Sequence, residues 1–171
     1  MERAESADKS SPAKKQRVET ACPHGNYLNY YSQRQSGADD ARLAVLQAAW
    51  FEGKTCIDLG CNDGTFTRQI AATLGCRLMV GVDSDARLIN AAWARTPLLG
   101  GAEARPCCWL RADMAAEDAD LAGSLGPAAA GTFDTVTCFS VSKWVHLVRG
   151  DAGLVRFFQR VFALLKPGGR Y

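Results

Sequence analysis

The feature that most constrains the fold is a repeated alternation of short apolar runs with longer segments of helical periodicity. The runs TCIDLG (55–60), RLMVGVD (77–83) and CCWLRAD (107–113) predict strands, whereas TFTRQIAATLG (65–75) and DARLINAAWAR (85–95) predict helices. Parallel strands need a long crossover, usually a helix, and such crossovers are right-handed. The alternation therefore predicts an α/β fold with a Rossmann-like parallel sheet and helices on both faces.

A fourth strand and a long helix are predicted near the end of the chain. TFDTVTCFS (132–140) is typical of a strand, and DAGLVRFFQRVFALL (151–165) of an amphipathic helix closed by a KPGG turn (166–169). In sheets of this type a fifth strand and further strands usually follow such a turn. Since the sequence stops at Tyr171, we expect the final strands to be missing and the edge of the fourth strand to be exposed.

Residues 1–23 differ in composition from the rest of the chain. They hold almost no large apolar side chains, so burial cannot offset the entropy of ordering them. They are predicted to be a disordered tail, and residues 24–171 a single domain. Within the tail, Lys14, Lys15 and Arg17 resemble a short nuclear-import signal, although a solvated charge cluster fits equally well. The expected location is the nucleus, with the cytoplasm as the alternative.

Composition narrows the classes of function. A net charge of +2 is too small to indicate a nucleic-acid binder, so any such contact must be local. The seven cysteines lack CxxC spacing, which predicts reduced intracellular thiols and no metal site. No stretch approaches the roughly twenty apolar residues of a membrane span, so no membrane association is expected.

The sequence DLGCNDG (58–64) follows the first predicted strand. Asp58 ends the strand, Gly60 permits a tight turn, and Gly64 lets the next helix begin close to the sheet. A dinucleotide-binding GxGxxG is not present, because Asn62 occupies the second glycine position and the third position is not glycine either. The loop therefore favours a cofactor that approaches the backbone closely without a pyrophosphate, although an ordinary strand-to-helix turn remains the alternative.

Two further acidic residues follow the second and third strands. Asp83 comes 19 residues after Gly64, a spacing that suits a carboxylate accepting hydrogen bonds from an adenosine ribose. NAD would make the same demand, but the missing third glycine and the KPGG element favour S-adenosyl-L-methionine. Asp113 can accept a hydrogen bond from the adenine amino group beside Met114, unless it is a helix cap or a solvated side chain.

The segment FSVSKWVHL (139–147) follows the fourth strand, where open parallel sheets keep catalytic loops. Lys143 is a compact cation suited to a phosphate, and His146 can exchange a proton near neutral pH. We expect both to face the site or its rim. Trp144 could stack on a base, but packing is the favoured interpretation.

Four segments carry a resemblance to a known family. They are GNYLNYYSQR (25–34), DARLAVLQAAWFEGKTCIDLGCNDG (40–64), VGVDSDARLINAA (80–92) and SVSKWVHLVRGDAGLVRFF (140–158). Together they resemble the bicoid-interacting family of RNA 5′-phosphate methyltransferases, over about residues 25–169. GNYLNYY and SKWVHL are more specific than the cofactor loop.

The resemblance implies transfer of a methyl group from S-adenosyl-L-methionine to the 5′-terminal phosphate of a small RNA, with RNA-binding proteins as further partners. Arg34 and Lys143 would hold the phosphate, whose oxygen is already anionic and needs no general base. The implied cofactor residues are Tyr30, Arg42, Gly60, Cys61, Asn62, Asp83, Ser84, Asp113, Met114 and Phe139.

The sequence departs from the family pattern at two places. Asp113 and Met114 replace the usual Asn-Tyr pair, and the strand that carries Leu-Glu-Pro-Gln-Pro-Trp in relatives is missing after the KPGG element. Three hypotheses therefore stand: a methyltransferase with its methyltransferase domain at 24–171, a truncated and inactive module that binds cofactor or RNA, and an NAD-dependent oxidoreductase, which rests only on the βαβ pattern and Asp83.

Overall fold

A computed structural model of the protein describes residues 40–96, 107–117 and 129–171. The tail at 1–23, the segment GNYLNYYSQR and the two site residues within it, Tyr30 and Arg34, lie outside these ranges. Two 3-10 turns precede the sheet, at Ala41–Val45 and Ala48–Trp50. The strands are β1 (Thr55–Leu59), β2 (Leu78–Asp83), β3 (Cys107–Arg111), β4 (Phe133–Thr137) and β5 (Leu165–Arg170), and the α-helices are α1 (Thr65–Leu74), α2 (Ala86–Ala94) and α3 (Ser142–Leu164).

The strands form one parallel sheet in the order β3-β2-β1-β4-β5. The chain first winds outward from β1 to β3 and then returns to place β4 on the other side of β1. Ile57 of β1 is therefore aligned with Val80 of β2 on one side and with Val136 of β4 on the other. The direction of winding therefore reverses between β1 and β4, and such a reversal opens a crevice at the carboxyl ends of the strands. The prediction of a parallel sheet is confirmed.

Apolar side chains cover both faces of the sheet. On one face Ile57 belongs to a core with Phe157 of α3, and on the other Cys56 belongs to a core with Ile70 of α1. All four side chains are fully buried, and burial of a large apolar side chain stabilises a fold by about 1.5–3 kcal/mol. Helices thus pack on both faces, as the near-continuous apolar strands predict. Within the described residues no helix is both long and apolar enough to cross a membrane.

The prediction that β4 has an exposed edge is wrong, because β5 pairs with it. Phe133 is aligned with Leu165 and Thr135 with Arg170, with an irregularity between the two pairs. KPGG therefore lies inside a strand and is not a turn. The Lys166 ammonium lies 2.8 Å from Asp134 of β4 and stabilises the pairing, while Pro167, which has no N–H, is tolerated at an irregular outer strand.

The helix α3 begins at Ser142, nine residues before the predicted start at Asp151. It is interrupted at Gly150, whose φ of 63° and ψ of −167° are not helical. The sequence pattern detected only the second segment because Gly150 breaks the periodicity. SKWVHL, expected as a loop after β4, is therefore the first helical segment of α3.

Candidate functional site

A cavity lies at the carboxyl ends of β1 to β4, at the reversal of winding described above. Seven of the residues predicted from the sequence line it: Gly60, Asn62, Asp83, Ser84, Asp113, Met114 and Phe139. Its other walls include apolar side chains of α3, among them Val145 and Phe157. The fold thus brings together residues from four separate strand ends.

The loop after β1 approaches the loop after β4 closely. Gly60 has a φ of +80°, and a Cβ on it would lie 2.1 Å from Cγ2 of Val141. Its N–H, like that of Cys61, donates to the carbonyl of Val82 at the end of β2, at 2.7 and 3.0 Å. The backbone is therefore fixed where it borders the cavity, and glycine is required at position 60 for both its conformation and its size.

Asp83 joins the ends of β1 and β2. Its Oδ2 accepts the N–H of Asn62 at 2.9 Å, and its Oδ1 accepts the N–H of Asp85 at 2.9 Å. Burial raises the pKa of Asp83, and these two backbone donors act in the opposite direction. A carboxylate oxygen has two lone pairs, so each oxygen can accept one further hydrogen bond. The carboxylate is thus oriented with acceptor capacity left for a hydroxyl in the cavity.

Asp58 lies buried beneath the loop after β1 and was not predicted to be a site residue. Its Oδ2 accepts the hydroxyl of Thr67 at 2.5 Å, and its Oδ1 accepts the hydroxyl of Thr137 at 2.8 Å. Burial raises the pKa of Asp58, and the threonine hydroxyls partly oppose that effect. Asp58 therefore ties β1 to α1 and β4. The signal in the sequence was an acidic residue inside an otherwise apolar strand.

The end of the cavity beyond β3 is held by side chains. Asp113 Oδ1 accepts the N–H of Ala115 at 2.9 Å, and Asp113 Oδ2 accepts a hydrogen bond from Arg149 at 2.9 Å. Arg149 belongs to the first segment of α3 and lines the cavity. The sequence pattern did not indicate it, because Arg149 stands next to Gly150 and reaches Asp113 only through the fold.

Two residues predicted to bind cofactor lie outside the cavity lining. The side chain of Cys61 is fully buried and packs with Ile89 and Trp109, and burial raises the pKa of its thiol well above its ordinary value. Cys61 can therefore border the site only through its backbone. The Arg42 guanidinium forms an ion pair with Asp40 and lies 5.4 Å from the ring of Phe139, which does line the cavity.

Of the two residues predicted to hold phosphate, Arg34 lies outside the described residues, so the structure locates Lys143 alone. Lys143 is exposed, outside the lining, with its ammonium 5.9 Å from the Trp144 ring. His146 is also exposed and pairs with Asp151 at 2.7 Å. Trp144 does line the cavity. Among the described residues no group of three or more acidic, His or Cys side chains could hold a metal ion.

Solved structures share this architecture. A methyltransferase from Mesorhizobium loti aligns with a TM-score of 0.51 and 26% identity over 75% of this chain and 48% of its own. The CcbJ methyltransferase from Streptomyces caelestis aligns with a TM-score of 0.59 and 18% identity over 85% of this chain and 54% of its own. The strand order and these neighbours define the fold of the class I S-adenosylmethionine-dependent methyltransferases.

Sequence relatives indicate a particular family within this class of methyltransferases. Residues 133–171 match the family model for Bicoid-interacting protein 3 (Bin3). The human 7SK snRNA methylphosphate capping enzyme is 34% identical over 85% of this chain, and the U6 snRNA methylphosphate capping enzyme Amus of Drosophila melanogaster is 35% identical over 86% of it. This chain spans 29% of the human protein and 51% of the fly protein. The predicted resemblance to the bicoid-interacting family is confirmed.

Proposed function

We propose that this chain carries the methyl-donor site of an S-adenosylmethionine-dependent RNA methyltransferase that acts on a 5′-terminal phosphate. The observation that carries the proposal is the oriented carboxylate of Asp83 in a cavity at the reversal of winding. The capping enzymes described above, each similar over most of this chain, support the substrate class.

The residues around the cavity fit an adenosine-containing donor. Asp83 offers acceptors for ribose hydroxyls, and Asp113 offers one for an exocyclic amine. Gly60 lines the cavity and has no side chain, so a ligand can contact its backbone. Met114 and Phe139 supply apolar surface for the flat base and the thioether.

When bound, the donor supplies a methyl group on a sulfonium, which an oxygen nucleophile can attack. The proposed acceptor, a phosphate oxygen, is already anionic, so the chain does not need to remove a proton from it. The work of the protein is then to orient the acceptor and to neutralise its charge. We assign the neutralisation to Arg34 and Lys143, in keeping with the family resemblance.

The proposed substrates are small RNAs, and the proposed location is the nucleus. The relatives act, by their names, on 7SK and U6 snRNA, and a zebrafish relative, 29% identical over 82% of this chain and 62% of its own, is a pre-miRNA 5′-monophosphate methyltransferase. Entry into the nucleus would rest on Lys14, Lys15 and Arg17 in a disordered tail at 1–23, ahead of a methyltransferase domain at 24–171.

A second candidate is a module that binds the donor without turnover. It is favoured by the position of Lys143, which lies outside the cavity lining, and by the pairing of the lining residue Arg149 with Asp113. The NAD-dependent alternative has no support beyond Asp83, since the loop after β1 keeps only part of the dinucleotide glycine pattern.

The test is methyl transfer from a labelled donor to 5′-triphosphate and 5′-monophosphate forms of one RNA. We expect label on the terminal phosphate. Comparing how phosphatase acts on a methylated and an unmethylated RNA end would locate the label. Label on a base or ribose would overturn the assignment of the substrate. Donor binding with no transfer to either RNA would instead favour the binding module.

A further inference from the structure

We propose that Arg149 is a positioning residue that makes the cavity selective for the 6-amino group of adenine. This inference rests on the proposed function, because it assumes that the cavity holds an adenosine-containing donor. The side chain through which Arg149 would act is Asp113, whose carboxylate accepts a hydrogen bond from it.

The ion pair between Arg149 and Asp113 joins two elements that are distant in sequence. Arg149 directly precedes the break in α3 at Gly150, and Asp113 follows β3. Their side chains are 35% and 37% exposed, so the pair lies at the rim of the cavity. Asp113 is held at both oxygens, by the N–H of Ala115 and by Arg149, each at 2.9 Å. The plane of the carboxylate is therefore fixed.

A carboxylate held in this way accepts hydrogen bonds and cannot donate them. The 6-amino group of adenine is a donor, whereas the 6-oxo group of hypoxanthine is an acceptor. An asparagine in place of Asp113 could satisfy either base, because its amide has both an acceptor oxygen and a donor nitrogen. Asp113 thus discriminates more strictly between the two bases than an amide would, because its acceptor oxygens repel the acceptor oxygen of the oxo group.

A cation beside Asp113 stabilises its carboxylate, which stands at the rim of a partly apolar cavity. Met114, Val145 and Phe157 also line the cavity, and an unpaired charge beside apolar side chains loses part of its solvation. Of the described residues that line the cavity, Arg149 is the single Lys, Arg or His. It therefore supplies a countercharge that stabilises the carboxylate of Asp113 and that a neutral asparagine would not need.

Two other arginines of α3 hold the same segment without facing the cavity. Arg160 donates to the carbonyl of Met114 at 2.7 Å, and Arg156 pairs with Glu117 at 3.3 Å. Neither Arg156 nor Glu117 lines the cavity. Arg156→Ala is therefore a matched control for Arg149→Ala: the same substitution on the same helix, which releases an ion pair to the same segment.

The experiment compares the affinities of S-adenosylhomocysteine and its inosine counterpart by calorimetric titration. We expect the original protein to prefer the adenosine ligand by at least about tenfold. Arg149→Ala lowers the affinity for that ligand by about fivefold, the upper range for a partly exposed ion pair, and leaves the inosine ligand unchanged. Arg149→Lys, which keeps the charge, retains selectivity within about twofold of the original, and Arg156→Ala changes neither affinity.

A double variant separates positioning from simple loss of structure. In an Asp113→Asn background, selectivity is already reduced and Arg149→Ala has no further effect, because the neutral amide needs no cation. Equal losses for both ligands, or the same loss in both backgrounds, would overturn the inference while donor binding stands. If the original protein binds neither ligand, the proposed function fails and the inference falls with it. Thermal melting of each variant identifies any that do not fold.

Discussion

The two ends of the cavity are built differently. At the ribose end, the N–H of Gly60 donates to the carbonyl of Val82, and the N–H of Asn62 donates to the carboxylate of Asp83. At the base end, Asp113 and Arg149 are joined by a side-chain ion pair across 36 positions of sequence. A site whose geometry is set by backbone N–H groups tolerates few substitutions. A site set by a pair of side chains can change its hydrogen-bonding character when those two residues are substituted. The ribose end is thus expected to tolerate fewer substitutions than the base end.

The largest expected effect breaks the ribose end at Gly60. Gly60→Ala places a Cβ 2.1 Å from Val141 in a left-handed conformation. We expect a loss of about 2–5 kcal/mol in the free energy of unfolding, from backbone strain and overpacking together, measured by urea denaturation. Val141→Ala in the same chain should recover the part due to overpacking. A double variant no more stable than Gly60→Ala would show that the close approach does not limit this position.

The second prediction concerns ligand binding at the ribose end. Asp83→Ala should weaken the binding of S-adenosylhomocysteine by about 1–3 kcal/mol, because a charge-assisted hydrogen bond to the ribose is lost. Calorimetric titration measures the change. An unchanged affinity would remove Asp83 from the donor site and leave the base end as the sole source of recognition.

The third prediction uses the pH dependence of stability. The pKa of Asp58 is raised in the folded protein, so its contribution to stability is present below the ordinary carboxyl pKa and is lost as pH rises through the folded pKa. About 1.4 kcal/mol is lost for each pH unit between the two values. Asp58→Asn should flatten the stability profile measured by thermal melting from pH 4 upward.

Part of the slope should remain in Asp58→Asn, because the pKa of Asp83 is raised as well. The double variant Asp58→Asn, Asp83→Asn should therefore show a flatter profile than either single one. A slope identical to that of the original protein in all three variants would mean that other groups control the pH dependence.

The smallest expected effect is that of a substitution at Asp85, which tests whether this residue contributes only to folding. Asp85 caps α2 by accepting the N–H of Arg87 at 2.8 Å, and it does not line the cavity. Asp85→Ala should cost about 1 kcal/mol of stability without changing the affinity for S-adenosylhomocysteine. A loss of affinity as large as that of Asp83→Ala would extend the ribose end beyond the residues assigned to it.

The same contrast explains how far the sequence predicted the structure. The ribose end was predicted because its residues follow strands at a spacing that local physics requires, a glycine where φ is positive and a carboxylate at the end of β2. Asp113 was predicted for the same reason. Arg149 was not, because no local pattern relates residues that meet only when α3 packs over the strand ends.

The two predictions of local structure that were wrong, for KPGG and for SKWVHL, failed for a similar physical reason. KPGG has the composition of a turn, but the ion pair of Lys166 with Asp134 and the pairing with β4 make it part of a strand. SKWVHL lacked a recognisable continuation as a helix because Gly150 interrupts the periodicity. Tertiary contacts thus decided both segments. The roles of Tyr30, Arg34 and Lys143 remain predictions.

Titration of this chain with S-adenosylhomocysteine addresses the methyl-donor site most directly. The carboxylates of Asp83 and Asp113 and the backbone at Gly60 predict saturable one-to-one binding, which Asp83→Ala weakens and Asp85→Ala does not. Absence of saturation with millimolar ligand, in a sample whose thermal melting shows that it is folded, would mean that the cavity is not a donor site.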